Sequence, residues 1–168
     1  MDEAAMALPS LTVAISTRGR RALGLDPSTW TVEPGLDWLL LVQEHEANPG
    51  LGPALDQLAA RPNVTVMRLG TTGLSRSRNA ALEFARGEIL LIADDDVRHL
   101  PGAYGGIRAF FAENPAVSLL AGQSFDPVER PRKCFASRPR RLRRWNAGVM
   151  RSTCAAARRD RRTVRPGG

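Results

Sequence analysis

Cysteine, histidine and aromatic residues are scarce in this chain of 168 residues, and each scarcity removes a class of function. The two cysteines, Cys134 and Cys154, form no CxxC pair and follow no secretory signal, so they read as free thiols in a reducing compartment. The two histidines, His45 and His99, stand far from each other and from the cysteines, which argues against a zinc site. Aromatic residues make up only 5%, so the core is expected to be aliphatic. The N-terminus, Met1-Asp2-Glu3-Ala4, is acidic and lacks the apolar stretch of a signal peptide. The longest apolar runs, residues 38–42 and 89–93, are strand-sized and far short of a bilayer span. A cytoplasmic location is the expectation, with peripheral contact at the inner face of the membrane as its variant. No GxxxxGK[ST] loop is present, which excludes a P-loop ATPase, and there is no GxSxG elbow. Gly50-Leu51-Gly52 lacks the third glycine of a dinucleotide fingerprint and does not directly follow a strand.

What is present fits one domain, with a hydrophobic content of 43% to fill its core. The formal net charge of +7 hides a division. Residues 1–128 carry 10 basic and 15 acidic side chains, whereas residues 129–168 carry 14 basic and 2 acidic. In the first part, short apolar runs at 11–16 (LTVAIS), 38–42 (WLLLV), 64–69 (VTVMRL), 88–93 (EILLIA) and 117–121 (VSLLA) read as strands. Helices are expected between them. One covers 54–60 with Pro53 at its first position. A second is capped by Ser75 or Ser77 and runs to about Arg86, with Gly87 closing it, and a third covers about 101–113. Continuous apolar strands alternating with helices predict an α/β fold: a mostly parallel sheet of the Rossmann-like type, covered on both faces. Ligands in such sheets sit beyond the carboxyl ends of the strands. Three polar clusters fall at those ends: residues 17–20, 43–46 and 94–96.

After about Glu129 the pattern stops. Ala, Arg, Pro and Gly fill 24 of the last 40 positions, and no run there has strand or helix periodicity. These residues have GC-rich codons, so residues 129–168 read as a basic tail, disordered or out of frame. Arginine-rich segments bind nucleic acid or anionic lipid. Phe135 and Trp145 alone offer little stacking surface, and nucleic acid is not the expected partner.

Asp94-Asp95-Asp96 is the central motif. Three adjacent carboxylates at the mouth of a buried strand repel one another, and a bound cation would neutralise them. Hard oxygen donors favour Mg2+ or Mn2+, ions commonly shared with substrate phosphates. In an extended chain Asp94 and Asp96 share a side and can act together. The alternative is an exposed acidic turn that caps the next helix. Gly73-Leu74-Ser75-Arg76-Ser77-Arg78-Asn79 places two arginines in a first helical turn, where the macrodipole disfavours cations unless an anion lies between them. Thr17-Arg18-Gly19-Arg20-Arg21 combines a hydroxyl, a glycine and arginines, a set suited to a diphosphate.

Residues 73–97, GLSRSRNAALEFARGEILLIADDDV, resemble the centre of a family 2 glycosyltransferase of the GT-A fold. That family carries a Gly-x-Ser-x-x-Arg-Asn helix start, a Gly-Glu pair, and an apolar strand ending in a DxD motif. The first strand with Thr17-Arg18-Gly19-Arg20 is similar to the family's opening strand, and the resemblance covers about residues 9–128. It implies a nucleotide-diphospho-sugar donor, a divalent metal, and transfer to a hydroxyl of a glycan, lipid or protein, with inversion. Thr17, Arg18, Arg20, Gln43, Arg78, Asp94 and Asp95 would bind the nucleotide, and Asp96 with Asp94 would hold the metal. Two departures stand out. Gln43, followed by Glu44, occupies the position of the family's base- or ribose-binding Asp. Downstream of the DxD, only Glu129 and Asp160 lie in the tail, neither in a matching motif, so the catalytic base is unassigned. The acceptor-binding half is expected to be missing, as in a truncated member inactive on its own. A metal-dependent nucleotidyltransferase and a basic-tailed nucleic-acid-binding module are the alternatives.

Overall fold

A computed structural model describes residues 7–122 and 155–158. Its centre is four parallel strands: β1 (Leu11–Arg18), β2 (Leu36–Gln43), β3 (Val64–Leu69) and β4 (Ile89–Asp94). Three helices connect and cover them: α1 (Leu51–Ala59), α2 (Leu74–Phe84) and α3 (Ala103–Glu113). Two short strands, β5 (Leu119–Ala121) and β6 (Ala155–Arg158), complete a sheet of order β3-β2-β1-β4-β6-β5. The α/β, mostly parallel architecture read from the apolar runs is the one observed.

Strand alternation sorts the side chains onto two faces. Leu11, Val13 and Ile15 of β1 share one face with Trp38, Leu40 and Val42 of β2 and with Ile89 and Leu91 of β4. Leu51 and Leu55 of α1 and Tyr104 and Phe111 of α3 close that face. Ala14, Leu39, Leu41 and Leu90 occupy the other, against Ala81 and Ala85 of α2. The core is not purely aliphatic, as composition had suggested. Among the described residues, Trp30, Trp38, Tyr104 and Phe111 are buried in it: Trp30 stacks on Trp38 with centroids 5.0 Å apart, and Tyr104 meets Trp38 edge-on at 5.5 Å. The Trp38 indole donates to the Thr31 carbonyl at 3.0 Å, satisfying its one polar atom.

Helix boundaries differ from the local signals. α1 starts at Leu51, so Pro53 lies inside its first turn, where no intrahelical donor is missed. Neither Ser75 nor Ser77 caps α2. Gly73 does, at φ 119°, a backbone state that favours glycine. At the other end, Ala85 already turns extended and Gly87 is not a left-handed cap. Gly87 is needed for space: a Cβ there would sit 2.6 Å from the Thr12 nitrogen.

The tail also departs from expectation at one place. Residues 155–158, where no periodicity was read, form β6, antiparallel to both β4 and β5. Alanine has little strand preference, so its two neighbours' hydrogen-bond ladders fix this strand, not local sequence. The other residues of 129–168, the two cysteines and the expected disorder among them, lie outside the described residues. No helix among the described residues is long and apolar enough to cross a membrane.

Candidate functional site

The carboxyl ends of β1, β2 and β4 open into a cleft of about 360 Å3. Sequence dictates its floor and walls in turn. β1 delivers Ser16, Thr17 and Arg18, and then Gly19, at φ 50°, turns the chain into a 3-10 helix at Gly19–Gly24. β4 delivers Asp94 and stops there. Asp95 and Asp96 lie in a turn closed by the Val97 amide donating to the Asp94 carbonyl at 3.3 Å. Beyond Asp94 the chain is turned and not extended, and Asp94 and Asp96 both line the cleft from that turn.

The three carboxylates take separate partners. Asp94 accepts from the Arg78 guanidinium of α2 at 3.2 Å. Asp95, whose side chain is 9% exposed, accepts the Thr17 hydroxyl at 2.7 Å on one oxygen and Arg21 at 2.6 Å on the other. Asp96, 65% exposed, has the Arg21 guanidinium 3.8 Å away. The mutual repulsion of three adjacent anions is thus offset by two guanidinium groups. Among the described residues, no three His, Cys, Asp or Glu side chains converge as a ready-made metal cage.

The opposite wall comes from β2 and α2. Gln43 is buried, and its carboxamide closes a two-way clasp on one residue: it donates to the Gly73 carbonyl at 3.0 Å and accepts from the Gly73 amide at 3.2 Å. The clasp ties the start of α2 to the end of β2. Beneath it the Ser77 hydroxyl, buried, donates to the Ser16 hydroxyl at 2.7 Å. At the rim Glu44 takes a left-handed backbone at φ 52° and pairs bidentately with Arg18. That hydrogen-bonded pair lowers the Glu44 carboxyl pKa and raises that of Arg18.

Of the residues singled out from sequence, Thr17, Arg18, Gln43, Asp94, Asp95 and Asp96 line the cleft. Arg78 stands behind Asp94 and is not part of the lining. Arg20, expected in the pocket, is exposed and outside it, and Arg21 takes its place. A 3-10 helix turns about 120° per residue, so one step along Gly19–Gly24 exchanges which arginine faces the aspartates. The arginine run carried no signal of that choice. The two histidines stay outside the cleft lining. His99 meets the Tyr104 hydroxyl at 2.9 Å, and burial lowers its pKa.

The model of one family, Glycosyl transferase family 2, matches residues 42–162. A mannosyltransferase, PcManGT from Pyrobaculum calidifontis, solved in complex with GDP-Man and Mn2+, is similar at 19% identity and a TM-score of 0.55, over 71% of this chain and 37% of that one. TarS 1-349 from S. aureus, solved in complex with UDP-GlcNAc, is similar at 19% identity and a TM-score of 0.58, over 76% of this chain and 38% of that one. At such identities the likeness is one of fold. The chain spans under two fifths of the length of either structure. No curated protein matches.

Proposed function

This chain belongs to glycosyl transferase family 2, and from that premise we propose that its cleft is the donor-handling site of a glycosyltransferase. The donor is a nucleotide-diphospho-sugar, and a divalent Mg2+ or Mn2+ accompanies its diphosphate. The observation that carries this reading is the meeting of Thr17, Arg18 and the whole acidic turn in one cleft at the carboxyl ends of the strands. That the two similar structures hold nucleotide sugars, one of them with Mn2+, supports the donor class.

The residues present fit such an ion. Mg2+ takes one or two carboxylates and leaves its remaining positions to water and substrate phosphates. Asp96 offers an exposed carboxylate, and Asp94, which lines the same cleft, offers a second. The ion, when bound, supplies positive charge to the leaving diphosphate. The remaining work falls to the chain's own residues. Arg18, paired with Glu44 and exposed, places a guanidinium at the mouth for phosphate oxygens. Thr17 holds Asp95, and so the acidic turn, at its height above the sheet. Gln43 fixes the opposite wall through Gly73 and, on this reading, supports the nucleotide pocket without touching the base. Transfer goes to an acceptor hydroxyl with inversion at the anomeric carbon.

Calorimetric titration of UDP and GDP, with and without Mn2+, tests the proposal on the full chain. Wild type should bind a diphosphate only with Mn2+, and Asp96→Ala should abolish that binding. Because Asp96 is exposed, the substitution should change stability by no more than about 0.5 kcal/mol. Unchanged binding by Asp96→Ala overturns the metal assignment. A preference for nucleoside triphosphates would make the site that of a nucleotidyltransferase.

A further inference from the structure

Arg21 has no part in the donor reading above, yet among the described residues it is the cation that reaches two members of the acidic turn. Its guanidinium is anchored at one end. Asp95 holds it at 2.6 Å, and Asp95 is itself fixed, since its second oxygen takes the Thr17 hydroxyl at 2.7 Å. The same terminal nitrogen lies 3.8 Å from the carboxylate of Asp96, and the side chain as a whole is 64% exposed. A positive charge therefore already stands beside the carboxylate most accessible to an incoming ion.

We propose that Arg21 is a built-in counter-cation of the acidic turn. Held on Asp95, it neutralises Asp96 in the free protein, opposes the entry of a bare divalent ion, and so makes metal uptake depend on the nucleotide diphosphate. The inference rests on the donor reading and adds an order of events to it. A divalent ion approaching Asp96 alone meets a fixed guanidinium of like sign. An ion arriving with a diphosphate brings anionic oxygens that satisfy the ion and Arg21 together, so the repulsion is replaced by attraction. The arrangement also keeps the turn formed without metal, because Asp95 stays paired whatever happens at Asp96. By linkage, the diphosphate and the ion then each raise the affinity for the other, and Arg21 sets how strongly.

Free Mn2+ can be followed by electron paramagnetic resonance while the full chain is titrated at low ionic strength without nucleotide. Arg21→Gln and Arg21→Ala remove the charge, and Arg21→Lys keeps it; thermal melting checks that each is folded. Both neutral variants should take free Mn2+ roughly fivefold more tightly than wild type, with Arg21→Lys close to wild type. With UDP or GDP present, the advantage of the neutral variants should shrink or reverse. Neutral variants that bind free Mn2+ no more tightly than wild type would overturn the role of Arg21, even while wild type binds diphosphate with Mn2+. Wild type that binds no diphosphate with Mn2+ would instead remove the donor reading itself.

Discussion

The same four parallel strands end in two rims built on opposite principles. At the amino rim, polar side chains close on backbone. The Thr12 hydroxyl, buried between β1 and the end of α2, accepts from the amides of Arg86 at 3.2 Å and Gly87 at 2.8 Å. Arg108 of α3 spends its guanidinium on the carbonyls of Pro9 at 2.8 Å, Pro34 at 3.2 Å and Leu8 at 3.3 Å. At the carboxyl rim, apart from the Gln43 clasp on Gly73 backbone, charged side chains close on one another: Arg18 on Glu44, Arg21 on Asp95, Arg78 on Asp94. A backbone partner cannot leave without unfolding the element that carries it. A side-chain partner can swing away and be replaced by a ligand of the same charge. The amino rim is thus a fastening and the carboxyl rim a set of exchangeable contacts, and this separates structure from binding within one sheet.

The sharpest way to break the comparison is at Gly87. A Cβ there would meet backbone on every side, 2.6 Å from the Thr12 nitrogen, 2.8 Å from the Leu11 carbonyl carbon and 2.9 Å from the Ile89 oxygen. Backbone in a central strand cannot yield as a flexible side chain can. Gly87→Ala should therefore lower unfolding stability by about 3 kcal/mol, read by chemical denaturation, while any folded fraction keeps its diphosphate affinity. Thr12→Val comes next. It preserves shape but strands one buried and one part-buried amide donor, at an expected loss of about 2 kcal/mol, again without effect on the cleft. If either substitution weakened nucleotide binding as strongly as it weakened folding, the two rims would not be separate.

Much of this was legible in the residues. The runs 38–42 and 89–93, apolar at every position, could only be strands covered on both faces, and both flank β1 in the observed register. The polar residues directly after them had to stand at the strand ends, which is why Gln43 and Asp94 were found there. What was illegible depended on contacts distant in sequence. Gly87 reads locally as a helix terminator, yet its need for glycine comes from β1, some 75 residues earlier in the chain. Arg20 and Arg21 are equivalent in a string of arginines until the 3-10 turn separates them. Residues 155–158 carry no strand signal because their order is supplied by β4 and β5. The burial of Trp30 likewise depends on a strand residue, Trp38, stacked against it.

The smallest expected effect bears on the exchangeable rim alone. Glu44 is held in a left-handed backbone at φ 52°, a conformation uncommon for a residue with a side chain, and its ion pair with Arg18 is what it gains there. The Glu44 carboxyl pKa lies below its ordinary value because of the Arg18 hydrogen bond, so the folded state favours the ionised form. Whatever the pair adds is therefore complete above the ordinary carboxylate value, near pH 4.3, and is lost as pH falls through the lower folded value. Arg18 is exposed and Glu44 lies part-buried at the rim, where the pair is open to solvent, so global stability should barely register the loss. The signal should be local. In an NMR titration the Arg18 side-chain Nε–H should shift in one acid step that lies below the ordinary carboxylate value. Glu44→Gln should erase that step and leave the neutral-pH melting temperature nearly unchanged. The Arg108 Nε–H, bonded to a carbonyl at the other rim, should show no such step in either protein. An Arg108 resonance that moved together with Arg18 would mean the rims are coupled through the sheet, and the division between fastening and exchange would fail at its simplest test.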